Sequence, residues 1–236
     1  TLVMAAGATS GVSGGQVDFF SGTTAGNATL DLRGADVVAA LGGRAYFHGG
    51  SSAGNSNLTV QGSQANNPGG PEGAIIYFVD DASAASARFV VGGNRLAFGS
   101  TGRVQFSDAA SAANATFTTL AGFDAGGRLS FQGSALATAS AGSARITNGS
   151  RATPSGSSGD FGGSTSFLAH SSADHASIVN EAGRTAFGAQ TVFRGDGTAA
   201  DATIVNLGGR AGDTGGITFF KDQSSGGRAV ISNAAG

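Results

Sequence analysis

Five aspartates, Asp80, Asp81, Asp108, Asp196 and Asp222, each fall two or three residues after a phenylalanine that recurs along the chain. Carboxylates brought side by side can share a proton or bind Ca²⁺, and paired carboxylates cleave polysaccharides. Other recurrences of the phenylalanine carry no acid at that place. Aspartate also suits a turn, because its side chain bonds nearby backbone amides, and this reading is preferred. His48, His170 and His175 are the only imidazoles, with Asp174 beside the last. No Ser/His/Asp or metal-ligand spacing joins them. Cysteine is absent, which removes thiolate metal sites and cysteine nucleophiles. The Gly-Gly-x-Gly-x-Asp calcium repeat is absent too. The expectation is no catalytic residue, no metal site and no cofactor. Arg194-Gly195-Asp196 spells an adhesion tripeptide, too short to carry weight. Thr116 and Thr118 begin an outward threonine ladder that Asp31, Arg88, Arg145 and Val179 break. Asn27, Asn57, Asn114 and Asn148 stand in Asn-x-Ser/Thr, which matters only in a glycosylating host.

What must position these residues is a repeat. Phe19, Phe47, Phe78, Phe106, Phe131, Phe167, Phe193 and Phe220 follow one another at steps of 28, 31, 28, 25, 36, 26 and 27 residues. Two residues before each stand Val17, Ala45, Ile76, Val104, Leu129, Thr165, Thr191 and Thr218. Alternation at period two makes a short strand with Phe inward. Six residues after Phe comes Ala25, Ala53, Ala84, Ala112, Ala173, Ala199 or Gly226, always preceded by Ser or Thr. The repeat at Phe131 carries four extra residues, so its pair is Ser140–Ala141. A small side chain beside a hydroxyl fits a tight corner stacked on identical corners. A second period-two strand follows, from Ala28-Leu30-Leu32 in the first repeat to Ala229-Ile231-Asn233 in the last. Gly-rich turns and a more variable apolar piece come next, at Asp36–Leu41, Arg95–Phe98 and Arg184–Phe187, predicted as a third strand.

Glycine makes up 42 of the 236 residues and penalises helix throughout. Three short strands in about 28 residues read as an all-β chain, a parallel β-helix (β-solenoid) of about eight coils. A propeller blade needs about 40 residues and four strands. The eight Phe form the core ladder. Asn148, Asn180, Asn206 and Asn233 hold one position in the last four coils and read as an Asn ladder at a turn, each amide bonding its neighbours and the backbone. Arg151–Gly159 reads as a surface loop.

Net charge is −2 with both signs scattered, so no basic footprint for nucleic acid or anionic membrane exists. No apolar run is long enough to span a bilayer, and the opening Thr1-Leu2-Val3-Met4 does not read as the basic region of a signal peptide. Residues 1–236 read as one solenoid segment. Leu2 and Met4 sit at the Ile and Asn positions of a second strand, and the chain stops at the same phase. Neither end shows an atypical polar cap, so the expectation is a piece of a longer solenoid or one that stacks onto another copy.

Ser-Gly-Thr-Thr-Ala-Gly-Asn-Ala-Thr-Leu at 21–30 and Ser-Ser-Ala-Gly-Asn-Ser-Asn-Leu at 51–58 carry a pattern that runs through nearly the whole chain. It resembles the repeats of large bacterial surface proteins of the autotransporter-passenger type. The resemblance implies a right-handed parallel β-helix on the cell exterior, serving as a stalk, adhesin or filament component, and it implies no catalytic residue. The expected partners are neighbouring coils of the same or another copy, and a host surface or glycan. Nucleic acid and membrane insertion by this segment are not expected. Two further readings stand beside it. A polysaccharide-acting β-helix enzyme needs two or three Asp or Glu with Arg or Lys outward on consecutive coils. A fibre subunit would stack its ends on further copies.

Overall fold

Alternation of inward apolar and outward polar residues yields strands mostly of four or five residues, and glycine and hydroxyl residues bend the chain between them. The computed structural model describes residues 1–64, 72–97, 99–150, 161–183, 188–210 and 213–235. Among these residues there is no helix. Two long parallel sheets run side by side.

The strands Gln16–Phe19, Arg44–Phe47, Ile75–Phe78, Arg103–Ser107, Arg128–Gln132, Ser164–Phe167, Gln190–Phe193 and Ile217–Phe220 form one sheet, called here the Phe sheet. The other, the Ile sheet, comprises Leu2–Met4, Thr29–Leu32, Asn57–Val60, Arg88–Val91, Thr116–Thr119, Arg145–Asn148, Ser177–Asn180, Thr203–Asn206 and Val230–Asn233. Every strand pairs with its equivalent in the next coil, so Phe106 faces Phe131 and Ile146 faces Ile178 in strict register. The architecture is a β-solenoid of about seven turns, and seven rises of about 4.8 Å make a rod of roughly 34 Å.

The third strand position is not where the apolar pieces predict it. Asp36–Leu41 and Arg95–Ala97 form bends and turns without strand pairing, while Phe98 and Arg184–Phe187 lie outside the described residues. A third, narrow parallel ladder runs instead through the hydroxyl corner, linking Thr24, Ser52, Ser83, Ser111 and Ser140, then Ser172, Thr198 and Ser225. It widens to two residues only where Ala139–Ser140 pairs with Ser171–Ser172. A one-residue strand leaves no alternation to read. Arg151–Gly159, expected as a loop, also lies outside the described residues.

Inside, the phenylalanine rings stack face to face at 4.5–4.9 Å with interplanar angles of 3–11°. The rings from Phe47 to Phe193 are fully buried. Each such burial contributes about 1.5–3 kcal/mol. The Ile sheet sends in Leu30, Leu58, Phe89, Phe117, Ile146, Ile178 and Ile204, and Phe106 meets Phe117 edge to face at 5.9 Å. Glycines let the two sheets meet closely at the coil closure. A Cβ on Gly127 would overlap the carbonyl of Val91, and one on Gly216 would overlap that of Asn180.

One core row changes character halfway along the rod. On the Ile sheet it runs Met4, Leu32, Val60, Val91, then Thr119, Asn148, Asn180, Asn206 and Asn233. The Phe sheet opposes it with Val17, Ala45, Ile76, Val104 and Leu129, then Thr165, Thr191 and Thr218. The aliphatic half gives way to a polar half on both sheets together.

Candidate functional site

Asp80, Asp81, Asp108, Asp196 and Asp222, with His48 and His170, sit on the first turn after the Phe strand, whereas Asp174 and His175 lie at the second corner. The backbone explains the first group. Asp80, Asp108 and Asp222 have φ of 58°, 57° and 60°, while His170 has 53° and Gly22, Gly50 and Gly195 take the same left-handed role in other coils. Asp tolerates this region better than most residues with a Cβ. Several carboxylates reach back to amides of the preceding coil. The Gly50 N–H donates to Asp81 Oδ1 at 2.6 Å, Gly49 to Asp80 Oδ2 at 3.3 Å and Gly195 to Asp222 Oδ2 at 3.3 Å. His170 donates its backbone N–H to Asp196 Oδ1 at 2.5 Å, and its Nδ1 lies 2.8 Å from Oδ2. The adhesion-like tripeptide therefore has its carboxylate engaged by the neighbouring coil. His48 and His175 lie against Asp18 and Asp174 at 3.3 and 2.6 Å. Among the described residues no group of three or more His, Cys, Asp or Glu is placed to hold a metal ion.

Two carboxylates, Asp196 and Asp201, are held in their charged form. The Asp196 carboxyl lies below its ordinary 3.8, chiefly because it accepts the His170 amide, and the Arg228 hydrogen bond lowers Asp201 likewise. A general acid needs the opposite, a carboxyl held protonated near neutrality. A folded value below the unfolded one means that the stabilisation is complete above the ordinary carboxylate range. It is lost as pH falls through the folded value. Circular dichroism from about pH 6 down to about pH 2 should therefore show the parent losing stability faster than Asp196→Asn, with the two curves converging at the acid end. Parallel curves would refute the assignment.

The second corner uses one device eight times. Thr24, Ser52, Ser83, Ser111, Ser140, Ser172, Thr198 and Ser225 each accept, on the side-chain oxygen, the N–H of the residue two positions on, at 2.9–3.0 Å. That residue is always left-handed: Gly26, Gly54, Ala85, Ala113, Gly142, Asp174, Ala200 or Gly227. The alanine between them, from Ala53 to Ala199, is fully buried. Where alanine holds the left-handed position, at φ of 50° in Ala113, strain of about 1–2 kcal/mol is partly offset by the chain entropy that glycine would add. Ala113→Gly should raise stability by about 0.5–1 kcal/mol in denaturant titration. A loss of that size would contradict the left-handed geometry.

The four asparagines lie on strands facing the core, not in a turn. Asn148 Nδ2 donates to Asn180 Oδ1 at 2.8 Å, Asn180 Nδ2 to Asn206 Oδ1 at 2.8 Å, and Asn206 Nδ2 to Asn233 Oδ1 at 2.9 Å. From the opposite sheet, Thr165, Thr191 and Thr218 donate their hydroxyls to Asn148, Asn180 and Asn206 at 2.8–2.9 Å. Thr119 closes the start of the row by donating to Asn148 Oδ1 at 2.9 Å. All amides point one way along the rod, so the chain of dipoles reinforces itself. The threonines were visible in the sequence two residues before Phe; their appearance in the same coils as the asparagines was the overlooked signal. Asn148 is fully buried, which removes it as a glycan acceptor in the folded chain, while Asn57 and Asn114 are exposed.

The four-residue insertion after Phe131 folds into a tight hairpin closed by Ser134 and Ala137, with Leu136 99% exposed at its tip. Among the described residues no helix is long and apolar enough to cross a membrane. Comparison with known proteins found no matching family model, no similar curated protein and no matching solved structure.

Proposed function

We propose that this chain is a non-enzymatic rod segment of a large extracellular bacterial protein, a stalk or adhesin that presents turns along a rigid axis. The observation that carries this reading is the uninterrupted stack of eight rings, Phe19 to Phe220, in register through every turn. Each coil gains its stability from the next, so length and stiffness come from repetition. The turn carboxylates support the same reading, because they fasten coil to coil. The resemblance of residues 21–30 and 51–58 to autotransporter-passenger repeats supports the cell exterior as its place.

The test is protease treatment of intact native cells, alongside incubation of the purified chain with acidic and neutral polysaccharides. The rod reading expects the chain to be removed from whole cells and the polysaccharides to stay intact. Full protection inside unbroken cells would overturn the location. Polysaccharide cleavage that disappears in Asp80→Asn or Asp108→Asn would replace the rod by an enzyme.

A further inference from the structure

Arg103 and Arg128 occupy directly paired positions on adjacent strands of the Phe sheet. Parallel neighbours lie about 4.8 Å apart, and nowhere else in the paired strands of the two long sheets do like charges face each other. Among the described residues three arginines elsewhere are neutralised, Arg33 by Asp31 at 2.6 Å, Arg44 by Glu72 at 2.8 Å and Arg228 by Asp201 at 2.7 Å. Arg88 and Arg145 stand singly on their strands without facing a like charge. Both Arg103 and Arg128 are exposed, and no carboxylate among the described residues pairs with either. The acid of the neighbouring loop, Asp124, is engaged by Asn94 Nδ2. Arg103 and Arg128 line a cleft of about 200 Å³ whose other walls are Gly99, Ser100, Thr101 and Ala125. Beside them on the same outward face, Tyr77, Gln105 and Ser130 form a half-exposed row in register.

We propose that this cleft binds an acidic polysaccharide, one carboxylate or sulfate seated between Arg103 and Arg128 and the chain running along the rod over Tyr77, Gln105 and Ser130. Guanidinium forks match the planar oxygens of such groups, and a bridging anion removes the repulsion that the register imposes. The coil rise is close to the length of one pyranose in an extended chain, so successive sugars meet successive coils. Two cations on a chain of net charge −2 are too few for a nucleic acid, whose affinity is built on many phosphate contacts. The proposal supplies a ligand class to the adhesive part of the rod reading and rests on it.

Calorimetric titration of the intact chain with a sulfated glycosaminoglycan, a polyuronate, dextran and double-stranded DNA, at about 50 mM salt, tests it. Binding of either acidic glycan, with dextran silent and DNA at least about tenfold weaker, supports the site. Arg103→Gln and Arg128→Gln should each weaken glycan binding about tenfold with an unchanged far-ultraviolet spectrum. The double variant Arg88→Gln/Arg145→Gln, altered on the other sheet, should stay within about twofold of the parent. Equal losses in that variant, binding of dextran, or DNA binding as tight as the glycans would overturn the site. So would no binding by the folded chain, an outcome that leaves the rod itself standing.

Discussion

Phe106→Ala will destabilise the rod by about 3–5 kcal/mol, and the damage will spread to its neighbours before it reaches the ends. The ring is fully buried, stacked on Phe78 at 4.6 Å and Phe131 at 4.9 Å, and held edge to face by Phe117. Removing it opens a cavity that the in-register backbone cannot close, because the strand Arg103–Ser107 is pinned to a neighbour on either side. Hydrogen exchange should show the amides of Ile75–Phe78 and Arg128–Gln132 losing protection while Thr203–Asn206 retains it. Uniform loss along the chain would mean that the coils do not act as nearest-neighbour units.

Asn180→Leu should cost nearly as much, about 3–5 kcal/mol, although it puts an apolar residue in a core. The leucine leaves the Thr191 hydroxyl without its acceptor and takes one partner from the Asn148 amide and one from the Asn206 carbonyl. Each buried group left unsatisfied costs about 1–3 kcal/mol. Adding Thr191→Val should restore much of the loss, since apolar pairs already fill this row where Val91 and Leu32 stand. Chemical denaturation of the two single variants and the double completes the cycle. Simple additivity would show that the cross-core bond contributes little.

The steps between phenylalanines revealed the coil, because each Phe must find the same place in the core every turn. The Ser/Thr–Ala pairs revealed a corner for the same reason. The third ladder was hidden there, since a single bridging residue such as Ser83 has no period to detect. Asp36–Leu41 misled because its apolar residues belong to a turn that packs without strand pairing. The asparagine row is legible as a ladder, but Asn's preference for turns points away from the strand that it occupies. Only the packing brings Asn180 opposite Thr191. The paired arginines were invisible for a related reason: Arg103 and Arg128 are 25 residues apart, and only the register makes them neighbours. Asp80, Asp81, Asp196 and Asp222 accept backbone amides, and their reach into the preceding coil follows from stacking alone.

That stacking can be tested with a single oxidation experiment, because the chain has no cysteine of its own. Thr118 and Thr147 are paired, outward and on adjacent coils, and Val179 is one coil further. Thr118→Cys/Thr147→Cys places two thiols on strands about 4.8 Å apart, within disulfide reach, whereas Thr118→Cys/Val179→Cys places them about 9.6 Å apart. The solenoid predicts rapid, intramolecular oxidation of the first pair and none of the second. Equal oxidation of both pairs, or failure of the first, would contradict the register on which the rod, its polar core and its arginine pair all depend.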